Sequence, residues 1–114
     1  MQIPTAAVSG VPDPLPDGLF VLDVREDDEW AAGHVAGSVH VPLMDLGQRY
    51  AELPELLAAD QTLVVCRSGN RSAYAVGFLV QQGLDAVNLE GGLLSWHAAG
   101  RALVSDGDEP ATVL

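Results

Sequence analysis

Cys66 is the only thiol in the 114-residue chain, and a short polar run follows it at once: Cys66-Arg67-Ser68-Gly69-Asn70-Arg71-Ser72. The apolar run Leu63-Val64-Val65 leads in, and a helical pattern over 73–82 leads away. A strand that ends in a short loop and then opens a helix builds an anion-binding geometry. The first amides of the helix have no intrahelical partner and point back into the loop. A thiol held there is drawn toward thiolate, the nucleophilic form, by the partial positive charge of the helix N-terminus. Arg67 and Arg71 add full positive charge within the same loop.

A lone cysteine after an apolar strand can also be an inert core thiol. A buried inert thiol has no need of a cationic polar loop, and the two arginines, the glycine and the helix start favour the reactive reading. The chain carries five arginines, no lysine and a net charge of −11. Two of its five cations sit in one loop, which argues for a local anion site. The acidic balance as a whole excludes nucleic acid and anionic membrane surfaces as partners.

The elements that must position this loop follow from pattern. Leu19-Phe20-Val21-Leu22-Asp23-Val24, Thr62 to Cys66 and Ala86-Val87-Asn88-Leu89 read as short buried strands, and Val39-His40-Val41 as a smaller one. A further short strand is expected near Ile3. Asp27 to Ala32 is a short helix, with acids at its start and Gly33 after its end. Residues 43–53 suggest a helix, Pro54 to Ala59 a second short piece, 73–82 a longer one closed by Gly83, and 93–99 a last one closed by Gly100. Ser72 is the expected cap of the helix after the loop. Strands alternating with helices imply a parallel sheet covered on both faces.

Length and composition bound the rest. At 48 % apolar residues the chain builds one packed domain. That domain is expected over 1–104, with a Pro/Gly-rich lead-in at 1–18 and an acidic flexible tail at 105–114. One cysteine excludes an internal disulfide and a multi-cysteine metal site. No signal peptide and no membrane span are expected, and a reducing, cytoplasmic setting follows as the simpler assumption.

Three separated motifs carry a resemblance. Val21-Leu22-Asp23-Val24-Arg25-Glu26, with Glu29-Trp30, Gly33-His34-Val35-Ala36-Gly37-Ser38 and Val41-Pro42, resembles the N-terminal signature of the rhodanese, or sulfurtransferase, family. Cys66 to Ser72 resembles its active-site loop. Asn88-Leu89-Glu90-Gly91-Gly92 with Trp96 resembles its C-terminal signature. The likeness runs in order from about Leu19 to Leu103; Ala36 departs from it, where the family often has proline. The resemblance implies a rhodanese-like α/β fold, a five-stranded parallel sheet with helices on both faces. It also implies transfer of sulfane sulfur through a cysteine persulfide.

On that reading Cys66 is the nucleophile. Arg67 binds the oxygens of a small anionic donor such as thiosulfate. Ser68, Gly69, Asn70 and Arg71 turn backbone N–H groups toward the sulfur, and Gly69 supplies conformational freedom. Arg71 has a shared role: with Arg67 it can bind the donor's oxygens, and it is expected to pair with Asp23 while supporting the loop. Arg25 and Glu26 read as a structural pair. Ser72 supports the loop as a cap rather than as a proton-transfer group. His34 fixes a turn, and His40 and His97 lack ligand spacing, so no metal and no cofactor are expected. Trp30 and Trp96 read as core or rim residues, and Gly91-Gly92 as a tight turn rather than a phosphate cradle.

With no second thiol, the sulfur acceptor must come from outside: cyanide, a small thiol or a cysteine of a partner protein. A relay that delivers sulfur to a partner protein is the alternative to free turnover. A cysteine phosphatase or arsenate reductase is a weaker alternative. Those enzymes place arginine six positions after the cysteine; here Arg71 comes five after, and the sixth position is Ser72.

Overall fold

The computed structural model describes residues 3–114. Five parallel strands form one sheet: β1 (Thr5–Ala6), β2 (Leu19–Asp23), β3 (Val39–His40), β4 (Gln61–Val65) and β5 (Ala86–Leu89), in the spatial order β1-β5-β4-β2-β3. The helices are α1 (Asp27–Ala32), α2 (Leu43–Arg49), α3 (Pro54–Ala58), α4 (Asn70–Gln81) and α5 (Gly92–Ala98). The span expected as one helix over 43–53 divides into α2 and a 3₁₀ turn at Tyr50–Glu52. The proline-rich lead-in carries a 3₁₀ turn of its own at Val8–Gly10, just before Pro12.

Strand alternation sorts the core into two layers. Leu22, Val64, Cys66 and Ala86 face one side, where Leu46 of α2, Leu56 of α3 and Ala75, Val76 and Leu79 of α4 meet them. Val21, Leu63, Val65 and Leu89 face the other, against Leu93 and Trp96 of α5 and Val8 and Val11 of the lead-in. Arg101 fastens that lead-in from its far side. Its guanidinium donates to the carbonyls of Val11 and Pro12, each at 3.0 Å, and lies 4.2 Å over the Trp96 ring. β4 is the middle strand, so the loop after it sits at the centre of the sheet's C-terminal edge, where open α/β sheets build their sites.

The end of β2 differs from expectation. Asp23 and Arg25 are both fully buried and bonded to each other, Arg25 Nη2 to Asp23 Oδ2 at 2.8 Å and Nε to both carboxylate oxygens. Residues two apart on an extended segment point the same way, whereas neighbours point apart. Asp23 therefore meets Arg25 and is not available to Arg71, and Arg25 does not pair with Glu26. Arg25 Nη2 also donates to Gly33 O at 2.6 Å, tying the strand end to the end of α1. Trp30 of α1 stacks on His34 at 3.6 Å between ring centroids and faces His40 at 5.0 Å. The two histidines in turn bond the carbonyls of Trp30 and Arg25.

The segment expected to be a flexible acidic tail is bonded at several points. Asp106 N–H donates to Ala31 O, Thr112 N–H donates to Ala32 O, and Val113 packs on the α5-side core. Its approach is close enough that a Cβ on Gly33 would fall 2.3 Å from Thr112 O.

Removing one member of a buried ion pair strands the other. Asp23→Ala is expected to cost about 3–5 kcal/mol, because Arg25 stays buried with no countercharge. The urea midpoint of the variant against the parent measures it.

Candidate active site

Cys66 leaves β4 at its C-terminal end, and its Sγ turns back into the loop. The Gly69 N–H donates to Sγ at 3.0 Å, and the Ser72 Oγ lies 3.2 Å from it. Gly69 is the residue before α4 and has φ 103°, the left-handed region that disfavours a side chain. This conformation starts α4 at Asn70, earlier than expected. Ser72 is consequently inside the first turn and caps nothing. Its hydroxyl faces the sulfur instead, which corrects the reading of Ser72 as a helix cap.

The loop is held from behind by α5. The Leu93 N–H donates to Cys66 O at 2.8 Å, and the Leu94 N–H to Arg67 O at 3.0 Å. A trans peptide directs its N–H opposite to its carbonyl. With those two carbonyls turned to α5, the amides that share their peptide planes face away from it, Ser68 N–H toward the sulfur. Gly92 makes this approach possible: a Cβ there would meet Cys66 O at 2.6 Å and Arg67 O at 2.5 Å. The Gly91-Gly92 turn thus has a second task beyond turning the chain.

Burial pushes the Cys66 thiol up, since a thiolate is costly away from water. The Ser72 hydroxyl, then the amides of Ser72, Gly69 and Ser68, outweigh this, and the thiol is held below its ordinary value. Cys66 is 1 % exposed, so these donors act with little competition from solvent.

The two loop arginines have separate fates. Arg71 forms a two-pronged pair with Glu29 of α1, at 2.7 and 2.9 Å, and not with Asp23. Glu29 is held at about 2 by the Arg71 bond foremost, against the opposing effect of burial. Glu29 also accepts the Glu26 N–H at 3.1 Å, which caps α1. Arg67 stays exposed and donates through Nε to Leu114 O at 2.8 Å.

The structure therefore gathers Cys66, Ser68, Gly69 and Ser72 around one sulfur. Asn70 and Arg71 open α4 beside it, and Asp23 lies apart in its own pair. Sequence reasoning missed Asn88 of β5, which is 7 % exposed. Its side chain bonds both Ser72 Oγ and Gly69 O. A polar residue at an inward position of a buried strand, two after Ala86, was the available signal.

A thiol ringed by amides at the C-terminal edge of an open parallel sheet, between β4 and a helix N-terminus, defines a class of small α/β proteins with one cysteine sulfur at the centre of the edge. A family profile described as "Rhodanese-like domain" matches residues 9–99, and the chain belongs to this sulfurtransferase family. The putative sulfurtransferase YtwF of Bacillus subtilis is 39 % identical over 80 residues, 69 % of this chain and 74 % of that protein. The thiosulfate sulfurtransferase GlpE of Pseudomonas fluorescens is 34 % identical over 94 residues, 80 % of this chain and 82 % of that one. The crystal structure of a rhodanese-related protein from Thermoplasma volcanium superimposes with a TM-score of 0.79 at 35 % identity, covering 89 % of this chain and 97 % of that one.

The Glu29–Arg71 pair gives a signed pH dependence. A Glu that titrates near 4.5 when unfolded and at about 2 when folded stabilises the fold fully above pH 4.5. That contribution is lost as pH falls from there toward 2. Glu29→Gln is expected to remove this part of the acid dependence, so stability measured by denaturant between those limits falls less steeply than in the parent.

Proposed function

We propose that the protein moves sulfane sulfur from an anionic donor such as thiosulfate to an external thiophile through a persulfide on Cys66. The observation that carries this reading is Sγ held by the Gly69 N–H and faced by the Ser72 hydroxyl at the N-terminus of α4. The Cys66 thiolate attacks the outer sulfur of thiosulfate. The sulfur–sulfur bond to the sulfonate breaks, and sulfite leaves with the electron pair. The extra sulfur now carries the negative charge as Cys–S–S⁻. The N–H groups of Asn70 and Arg71, in the first turn of α4, have no intrahelical acceptor and suit that anion. Attack by cyanide or a thiolate on the terminal sulfur returns the Cys66 thiolate and completes the cycle.

Arg67 is the donor-binding side chain on this reading. Its Nε is occupied by Leu114 O, so a bound sulfonate uses the terminal nitrogens or displaces that oxygen. Arg71, committed to Glu29, supports the loop and supplies charge at longer range. The reading as a phosphatase loses ground on the same geometry. The run from Cys66 to Arg71 is one residue shorter than the phosphatase spacing, and a shorter loop suits one added sulfur better than a tetrahedral oxyanion. As the chain holds one thiol, a relay to a partner protein's cysteine uses the same loaded state.

Incubation with thiosulfate followed by intact-mass analysis is expected to show one added sulfur, removed by cyanide and absent in Cys66→Ser. A protein that never takes up sulfur overturns the proposal. Rapid turnover with cyanide marks free catalysis, and release only to a partner protein marks the relay. Arg67→Ala is expected to raise KM for thiosulfate about tenfold, the loss of one charge-assisted contact, with the thermal midpoint unchanged. Unchanged kinetics remove Arg67 from donor binding.

A further inference from the structure

Asn88 and Ser72 form a hydrogen-bond chain that ends on Cys66. Asn88 Nδ2 donates to Gly69 O at 3.2 Å. A carbonyl only accepts, so this bond fixes which way the amide faces. Asn88 Oδ1 then faces Ser72 Oγ, and because Oδ1 also only accepts, the Ser72 hydroxyl must donate to it. The same Oγ lies 3.2 Å from Cys66 Sγ. A hydroxyl has one proton and cannot give it to both.

The three sulfur states of Cys66 make different demands on that proton. In the thiol, S–H donates to Ser72 Oγ, and Oγ–H donates to Asn88 Oδ1; every group is satisfied. In the bare thiolate, an Oγ lone pair would face a negative sulfur, so the hydroxyl turns to Sγ and Asn88 Oδ1 loses its donor inside the core. In a persulfide the charge has moved to the terminal sulfur, and Sγ, bonded on both sides, no longer requires the hydroxyl. The proton returns to Asn88.

We propose that Asn88 is a positioning residue that competes with Cys66 Sγ for the single proton of the Ser72 hydroxyl and thereby favours the thiol and the persulfide over the bare thiolate. The persulfide half of this statement rests on the sulfur-transfer reading above; the thiol half does not. The consequence is a thiolate that is formed but not over-stabilised. A thiolate kept more basic in this way is the better nucleophile, because intrinsic nucleophilicity falls as thiol pKa falls. Loading with sulfur then relieves the unpaired Oδ1.

The test is a double-mutant cycle read on the sulfur-free protein. The pH profile of Cys66 alkylation by iodoacetamide gives the thiol pKa in the parent, Asn88→Leu, Ser72→Ala and the double variant. Asn88→Leu keeps the side chain's size and removes its acceptor. It is expected to raise the thiolate-to-thiol ratio about tenfold, one pKa unit down. In the Ser72→Ala background the same substitution is expected to leave the profile unmoved. Asn88→Ala repeats the cycle with a smaller side chain, so a folding failure of the leucine variant leaves the test standing. A parent-like pKa in the folded Asn88 variants overturns the proposal. So does a drop that persists without Ser72, since Asn88 would then act through Gly69 and the loop. Sulfur loading is measured separately. Its absence in the parent removes the sulfur-transfer reading and leaves the alkylation result intact, whereas loading in the parent with no Asn88–Ser72 coupling overturns the present inference alone.

Discussion

The site depends on where two carbonyl groups point. Cys66 O and Arg67 O are taken by the first amides of α5, and peptide planarity turns the adjoining N–H groups the other way. The sulfur environment is thus set from both layers of the molecule. The loop residues Ser68 and Gly69 and the first turn of α4, on one face of the sheet, supply the donors, and α5 on the other holds the loop so that they converge. Gly92 allows the contact, and buried Leu93 and Trp96 fix α5 at the required height. A loop this short could not orient its own amides without a partner for its carbonyls, because each unpaired buried carbonyl would pull it toward another conformation.

Ion pairs reinforce the same edge in series. Asp23–Arg25 locks the end of β2 and, through Gly33 O, the end of α1. Glu29 of α1 then grips Arg71 of α4. A chain of contacts runs from the strand next to β4 to the helix that faces the sulfur. In an acidic protein with few cations, both Arg25 and Arg71 are spent on holding the frame. Arg25 Nη1 is buried with no hydrogen-bond partner among the described residues, while Nε and Nη2 carry the bonds that hold the frame.

Much of the fold was legible because its signals are local. Apolar runs of strand length, alternating with helical patterns bounded by Gly33, Gly83 and Gly100, carry the parallel α/β sheet by themselves. The position of Cys66 between a strand and a helix was equally local. What escaped depends on contacts distant in sequence. Asp23 offered two arginines as partners, Arg25 and Arg71, and only the strand's two-residue repeat and full burial decide for Arg25. The start of α4 turned on the left-handed conformation of Gly69, which moved Ser72 from a cap to a sulfur contact. Asn88 touches Ser72 and Gly69 across sixteen and nineteen residues, and no spacing rule reaches that far.

Two kinds of electrostatics operate within a few residues of each other. The groups that touch Sγ are neutral: a glycine amide and a hydroxyl, in a place with almost no solvent. Such dipoles carry no ion atmosphere and are little affected by salt, and their strength comes from low local polarisability and fixed direction. Arg67 is a full charge in open solvent, where screening weakens it. On the sulfur-transfer reading, capture of an anionic donor and stabilisation of the sulfur state are therefore separable: salt acts on the first and barely on the second. A site that relied on both arginines for its thiolate would respond to salt as a whole. The commitment of Arg71 to Glu29, and the neutrality of the ring around Sγ, divide the two tasks.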